Sequence, residues 1–185
     1  MIRLLIADDE RLEREALVEI VSRRFEHEVV LETAENGRKA ADTAILWGAD
    51  LILMDIEMPG MSGLDAARAV LAQRPSCRVV FVTAYSLFQY AHEAVHLGAC
   101  DYLLKPVDPD ELEASVRRAM RQIETERKLE ELADPFRSSA EVASMVGYED
   151  ASYFARAFKK RTGMTPTQYR RQAGQKAKAD PEAGL

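Results

Sequence analysis

Five residues of this sequence could do chemistry together. Asp8 and Asp9 are adjacent, Asp55 ends the apolar run LILMD, Thr83 ends RVVFVT, and Lys105 stands before a proline. Carboxylates held close together repel one another and raise each other's pKa, a penalty that a bound divalent cation removes. Oxygen ligands with room for water suit Mg²⁺, or Mn²⁺ in its place. A carboxylate facing such an ion can act as a nucleophile on phosphorus, with catalysis by in-line positioning and charge neutralisation. Lys105 can pair with phosphoryl oxygens and the Thr83 hydroxyl can donate to one. A phosphoryl group adds roughly −1.5 to −2 charge and strong acceptors, enough to draw a hydroxyl and its loop inward. Each residue alone has a plainer reading: an Asp after a strand is a turn or cap residue, and a Thr in a strand reflects β propensity. The argument rests on all five falling at successive strand ends.

Those strand ends are read from apolar pattern. Residues 3–7, 29–34, 51–55, 78–83 and 101–104 read as strands, and the first, third and fourth are nearly continuous in Leu, Ile and Val, as strands buried on both faces are. Helical patterns lie near 11–24, 37–48, 63–74 and 87–97. Five strands interleaved with helices predict an α/β fold, a five-stranded parallel doubly wound (flavodoxin-like) sheet with helices on both faces. In such a sheet ligands bind at the carboxyl ends of the strands, so the five residues converge on one crevice. Ser62-Gly-Leu-Asp65 and Asp108-Pro-Asp-Glu111 resemble capping boxes, and a helix from Pro109 runs to about Leu132. Its stripe Leu112, Val116, Ala119, Ile123 serves either sheet packing or a short coiled-coil seam.

The segments LIADDE, LILMDIEMPGMSG, VVFVTAY and GACDYLLKP resemble the receiver domain of the response-regulator family over residues 2 to about 131. The resemblance implies Asp55 as phosphoacceptor and Asp8, Asp9 and Asp55 as metal-site acids, with the Glu57 backbone carbonyl as a further ligand. It implies Thr83 as switch hydroxyl, Lys105 as phosphate-pairing cation, Tyr102 as switch aromatic and a cis Lys105–Pro106 bond. Small Ala84 leaves access to Asp55, and Glu57 and Tyr85 stand at positions that tune phosphoryl lifetime in the family. A histidine kinase is the implied phosphoryl donor. The expected protein is not an enzyme beyond its own phosphorylation and dephosphorylation. An Asp-nucleophile phosphatase is disfavoured because the nucleophile here follows the third strand rather than the first.

His92-Glu93-Ala94-Val95-His96 also fits the zinc-protease pattern H-E-x-x-H. A catalytic zinc needs a third ligand, which nothing in the sequence singles out. Cys77 and Cys100 form neither a C-x-x-C pair nor a disulfide framework, which sets a reducing cytoplasm as the expectation. No apolar run approaches the roughly 20 residues of a membrane span, and residues 1–7 do not read as a signal peptide.

Charge separates the two ends of the 185-residue chain, whose net charge is −6. Residues 151–179 carry eight basic residues and no acidic one, which can attract phosphate backbones. Asp134-Pro135 breaks the long helix. A short helix near 139–146, a turn at Gly147, a helix from Ala151 to Arg161 capped by Asp150 and closed by Gly163, and a last helix near 166–173 opened by Thr165-Pro-Thr-Gln168 follow. Val142, Val146, Tyr148, Phe154, Phe158 and Tyr169 supply a small core. The elements FARAFKK, GMTP and YRR resemble the DNA-binding domain of the arabinose-regulator (AraC/XylS) family. The resemblance covers about 40 residues and only the second of that family's two helix-turn-helix units. It places Ala151, Ser152, Ala155 and Arg156 toward bases; Arg156 suits bidentate contact with guanine, and Lys159 and Lys160 suit phosphates. The expected organisation is a receiver at 1–131, a partial helix-turn-helix at 132–173 and a disordered tail at 174–185. The expected function is a regulator that dimerises and binds DNA on phosphorylation. The alternative is an interaction module whose shortened output part no longer binds DNA.

Overall fold

Leu, Ile and Val tolerate burial on both sides of a strand, and the strands built from them take the middle of the sheet. In the computed structural model, which describes residues 1–84, 88–133, 143–144, 147 and 150–169, β1 (Ile2–Ala7), β2 (Val29–Ala34), β3 (Leu51–Met54), β4 (Arg78–Thr83) and β5 (Asp101–Leu104) form one sheet in the order β2-β1-β3-β4-β5. Every pairing is parallel. The register sets Ala7 beside Ala34 and Met54, Met54 beside Phe81, and Thr83 beside Leu104, so the carboxyl ends are level. The strand order reverses direction between β1 and β3, where this fold type opens a crevice.

Alternation along each strand divides the core. Leu5, Ile52, Met54, Val79 and Phe81 face α2 (Gly37–Thr43) and α3 (Gly63–Gln73), and Ala94 of α4 (Phe88–His96) joins the same cluster. Leu4, Ile6, Leu51, Leu53, Val80 and Val82 face α1 (Arg11–Arg24) and α5 (Pro109–Ala133). The stripe Leu112, Val116, Ala119 and Ile123 is buried in this second cluster. Its spacing therefore serves the sheet and is not a free seam. Arg24 of α1 pairs with Asp110 at 2.8 Å and Glu113 at 2.6 Å on α5, partly exposed pairs of small energetic weight.

Helix starts follow their caps. Ser62 accepts from the Asp65 amide at 3.1 Å, and Asp108 accepts from the amides of Asp110 and Glu111 at 2.9 and 3.1 Å. The single helix expected over 37–48 is instead α2 followed by a π-helical turn, Ala44–Gly48, which Gly48 ends at φ 76°.

The chain divides into two compact units, Met1–Glu124 and Thr125–Leu185. In the second, α6 (Ala151–Thr162) begins where the Asp150 carboxylate accepts from the amides of Ser152 and Tyr153, and it ends at Gly163, φ 77°. Thr165 and Gln168 exchange the reciprocal capping bonds of a helical turn at 166–169. Phe154 is buried, and Phe158 bridges it to Tyr169 with ring centroids 5.7 and 5.6 Å away. The helix expected near 139–146 lies mostly outside the described residues, as do Val142, Val146, Tyr148 and the 174–185 tail.

Two glycines let α2 and α3 start against the loop that follows β3. A Cβ on Gly63 would lie 1.9 Å from the Asp55 carbonyl oxygen, and one on Gly37 2.1 Å from that of Met61. Both obstacles are backbone, which cannot yield without moving the loop. Gly63→Ala is accordingly expected to lower stability by roughly 1–3 kcal/mol, read as a lower urea midpoint with an unchanged m-value.

Candidate phosphoryl-transfer site

The level strand ends bring Asp8, Asp9, Asp55, Thr83 and Lys105 to one edge of the sheet. Asp8 and Asp9 follow β1. Asp55 follows β3, one residue past the strand end, and its amide donates to Ala7 at 2.8 Å. A carboxylate oxygen from each of Asp8, Asp9 and Asp55 lies within 4.8 Å of the other two. Asp8 is fully buried and Asp55 is 6% exposed; Asp9 is the most open of the three.

Lys105 comes to this cluster from β5, 97 residues along the chain from Asp8. Its Nζ lies 2.6 Å from Asp8 and 3.5 Å from Asp55. The Lys105 amide donates to the Thr83 carbonyl at 2.9 Å, continuing the β4–β5 ladder into the loop, and the Lys105–Pro106 bond is cis. Thr83 is fully buried and Ala84 beside it is exposed. Tyr102 is half-buried, packed at the edge of the first core cluster. Tyr85 lies outside the described residues.

Charge follows from this packing. Burial pushes the Asp55 carboxyl up to about 6; Lys105 opposes the rise and Asp8 adds to it. For Lys105 burial disfavours the charge, yet the hydrogen bond to Asp8 and the charges of Asp55 and Asp8 outweigh it and raise the pKa. Burial and then the Asp55 charge raise the Tyr102 phenol. The donor set fits Mg²⁺: all oxygen, three carboxylates, with an open side for water.

That open side is a crevice of about 620 Å³ lined by Asp9, Glu57, Ser62, Arg68, Tyr90 and Glu93 among others. Glu57 forms part of its wall and accepts a hydrogen bond from the Tyr90 hydroxyl at 2.8 Å. Tyr90 is a site residue that sequence reasoning missed. Nothing in its local pattern marks it, because the contact depends on where α4 lies over the loop after β3.

The other candidate residues belong to other elements. Ser152, Arg156, Lys159 and Lys160 are exposed along α6, with Ala155 half-buried between them; the side chain of Ala151 lies outside what is described. No third ligand joins His92 and His96 among the described residues, where Asp8, Asp9 and Asp55 form the only group of three or more. The hydrolase reading of H-E-A-V-H therefore has no metal triad. Cys77 and Cys100 are free thiols, and burial pushes Cys77 up to about 12.

A family model for the response regulator receiver domain matches residues 4–117, more than half of the chain. The chain belongs to the response-regulator family. A helix-turn-helix domain model matches residues 109–172, so the two matches share 109–117, within α5. A receiver joined to an AraC-type helix-turn-helix is therefore the organisation of this response regulator. Transcriptional regulatory protein YxjL of Bacillus subtilis is 30% identical over 80% of this chain and 76% of its own length. The positive alginate biosynthesis regulatory protein of Pseudomonas aeruginosa is 35% identical over 64% of this chain, which spans 47% of that relative. Other relatives are spanned to about half or less, 50% for a Vibrio cholerae response regulatory protein and 33% for YesN of Bacillus subtilis. Among solved structures, the receiver domain of AraT from Geobacillus stearothermophilus superposes with TM-score 0.61 at 37% identity, covering 68% of this chain and 97% of that one. A two-component transcriptional regulator AraC from Clostridium phytofermentans gives 0.62 at 27% identity, covering 69% and 98%.

The raised Asp55 carboxyl in this receiver has a measurable consequence. Its folded value near 6 lies above the unfolded 3.8, so folding takes up a proton between them. The contribution is fully present below about 3.8 and is lost as pH rises through about 6. Metal-free Asp55→Asn is therefore expected to exceed the wild type in stability by roughly 1–3 kcal/mol at pH 7.5. The gap should close as pH falls toward 4 and narrow on adding Mg²⁺, as followed by thermal unfolding.

Proposed function

We propose that this response regulator receives a phosphoryl group on Asp55 from a histidine kinase and uses it to control transcription. The observation that carries the reading is the Lys105 ammonium held against Asp8 and Asp55 beside Asp9. This arrangement compensates a carboxylate cluster while leaving one member facing an open crevice. Asp8, Asp9, Asp55 and the Glu57 carbonyl would hold Mg²⁺, which when bound neutralises phosphoryl charge. An Asp55 oxygen attacks phosphorus as the P–N bond of the kinase phosphohistidine breaks, and the freed imidazole leaves with the kinase. Asp55 is delivered for attack by its backbone bond to Ala7 and by the close approach of Gly63. Lys105 then exchanges part of its carboxylate pairing for the phosphoryl oxygens. Thr83 supplies the hydroxyl that closes on the same group, Ala84 leaves the path open, and Tyr102 follows from β5.

In this reading the α4–β5–α5 face changes with phosphorylation and pairs two copies, each bringing one helix-turn-helix to DNA. Residues 1–131 are assigned to the receiver and 132–173 to the output module, and the protein is placed in the cytoplasm. No helix among the described residues is long and apolar enough to cross a membrane. Ser152, Ala155 and Arg156 would meet base edges while Lys159 and Lys160 meet phosphates. Ser152, Ala155, Arg156 and Lys159 stand at i, i+3, i+4 and i+7, on one side of α6.

With acetyl phosphate and Mg²⁺, the wild type is expected to take up about one phosphoryl group per chain and to shift toward dimer in sedimentation. Asp55→Asn should do neither. Equal labelling of Asp55→Asn, seen by intact mass, would remove Asp55 as the acceptor.

For the output module, Lys160→Ala is expected to lower the salt slope of DNA binding by about 1, and Arg156→Ala to cost about 1–3 kcal/mol at a preferred site. A gel-shift series showing no salt-sensitive binding with or without phosphoryl donor would favour the interaction-module reading instead.

A further inference from the structure

The H-E-A-V-H segment is left unused by the receiver chemistry, and its geometry is specific. His92 and His96 lie one turn apart on α4, both exposed. Their Nε2 atoms are 3.2 Å apart, and the rings meet edge-on with centroids 4.3 Å apart at 73°. Two imidazole nitrogens bound at about 2.0–2.1 Å to one tetrahedral Zn²⁺ lie about 3.3–3.4 Å from each other. The pair already stands at the length of a tetrahedral edge. The rest of the segment keeps this pair apart from the carboxylate site. Glu93 lines the crevice with Asp9 and Glu57. Ala94 is buried in the core and Val95 is exposed.

We propose that His92 and His96 form a two-histidine site for a divalent transition metal of the Zn²⁺ class on the exposed side of α4, separate from the carboxylate cluster. Imidazole favours Zn²⁺, Cu²⁺ and Ni²⁺, whereas carboxylate and carbonyl oxygen favour Mg²⁺. The protein thus carries two sites of opposite preference. The two Nε2 atoms lie within hydrogen-bond distance of each other, and which ring donates depends on the tautomer. A metal bound here takes both Nε2 lone pairs, with each ring's proton on Nδ1. Two protein ligands leave two coordination positions for water or exchangeable ligands. The site is a binding site and not a hydrolytic centre, since Glu93 is turned toward the crevice. A metal joining residues four apart also cross-links one turn of α4, the helix that carries Tyr90 to Glu57.

The chain has three histidines, which makes the test direct. Zinc chloride is titrated into the full chain in excess Mg²⁺ while the histidine ring signals are followed by NMR. A chromophoric chelator competing for zinc gives the affinity. At one equivalent of zinc the His92 and His96 signals are expected to shift and the His27 signal to stay. His92→Ala or His96→Ala should each weaken binding by at least about tenfold, through loss of the intramolecular second ligand, while His27→Ala should leave it unchanged. Both histidines are exposed, so the variants are expected to keep their helix content, which circular dichroism checks. Unmoved His92 and His96 signals at stoichiometric zinc would overturn the proposal. So would single variants of wild-type affinity, because the zinc would then sit at the carboxylates.

Discussion

Three carboxylates crowd one edge of the sheet, and a single ammonium offsets part of their charge. Carboxylate oxygens no more than 4.8 Å apart repel, when all are charged, by roughly 3 kcal/mol or more per pair at an effective dielectric of about 20. Lys105, 2.6 Å from Asp8 and 3.5 Å from Asp55, answers part of that repulsion. Burial strengthens both effects. The sheet is what makes the compensation possible, because only a parallel register with level carboxyl ends sets a lysine after β5 against an aspartate after β1. Shifting β4–β5 by one residue would turn Lys105 to the other face of its strand and leave Asp8 and Asp55 facing each other unopposed.

The same constraint ties the site to its surroundings. Lys105 cannot move without its backbone neighbour Thr83, whose carbonyl accepts from the Lys105 amide. Tyr102 precedes Lys105 on β5 and feels the Asp55 charge. On the opposite wall Tyr90 reaches from α4 to Glu57, two residues past Asp55. In the proposed switch, a change of charge at Asp55 would act on Lys105 and through it on the β4–β5 pair, with the Glu57 wall next to α4 close by in sequence. Coupling of this kind would need no long relay, since Lys105 contacts Asp55 directly and Glu57 stands two residues beyond it. In the proposed switch, a modest difference in affinity for the phosphoryl group between two arrangements of these residues is enough to bias their populations.

Much of this was legible in the amino-acid sequence because it is local or periodic. Continuous apolar runs marked β1, β3 and β4, and side-chain caps at Ser62, Asp108, Asp150 and Thr165 set the helix starts where they are found. The carboxylate cluster could be read because a parallel sheet fixes where strand ends must lie. What escaped depends on distances that the sequence does not carry. The stripe on α5 has the spacing of both a core face and a seam, and only its burial decides between them. The π-helical turn at Ala44–Gly48 follows a helix of good propensity, and nothing before Gly48 announces the change of hydrogen-bond spacing. Tyr90 and the close approaches at Gly37 and Gly63 are tertiary contacts with no sequence period at all.

The output module shows the same division from the other side. Its α6 is specified locally at both ends, by Asp150 and by Gly163 in the left-handed conformation, so the helix needs little help to form. A stable domain needs more than capped helices, and below about 40 residues a single apolar core is rarely sufficient. The aromatic contacts among Phe154, Phe158 and Tyr169 leave Tyr169 half exposed. One such module would engage few phosphates, and since each neutralised phosphate adds to affinity through released counterions, few contacts mean weak binding with a shallow salt slope. Two modules joined through paired receivers would bind the second half-site at an effective concentration set by the linkage rather than by the bulk. In the proposed switch, a weak, locally well-formed reader would be the form of output most sensitive to pairing: alone it would occupy DNA poorly, and a bias placed by Asp55 on receiver association would be multiplied at the DNA.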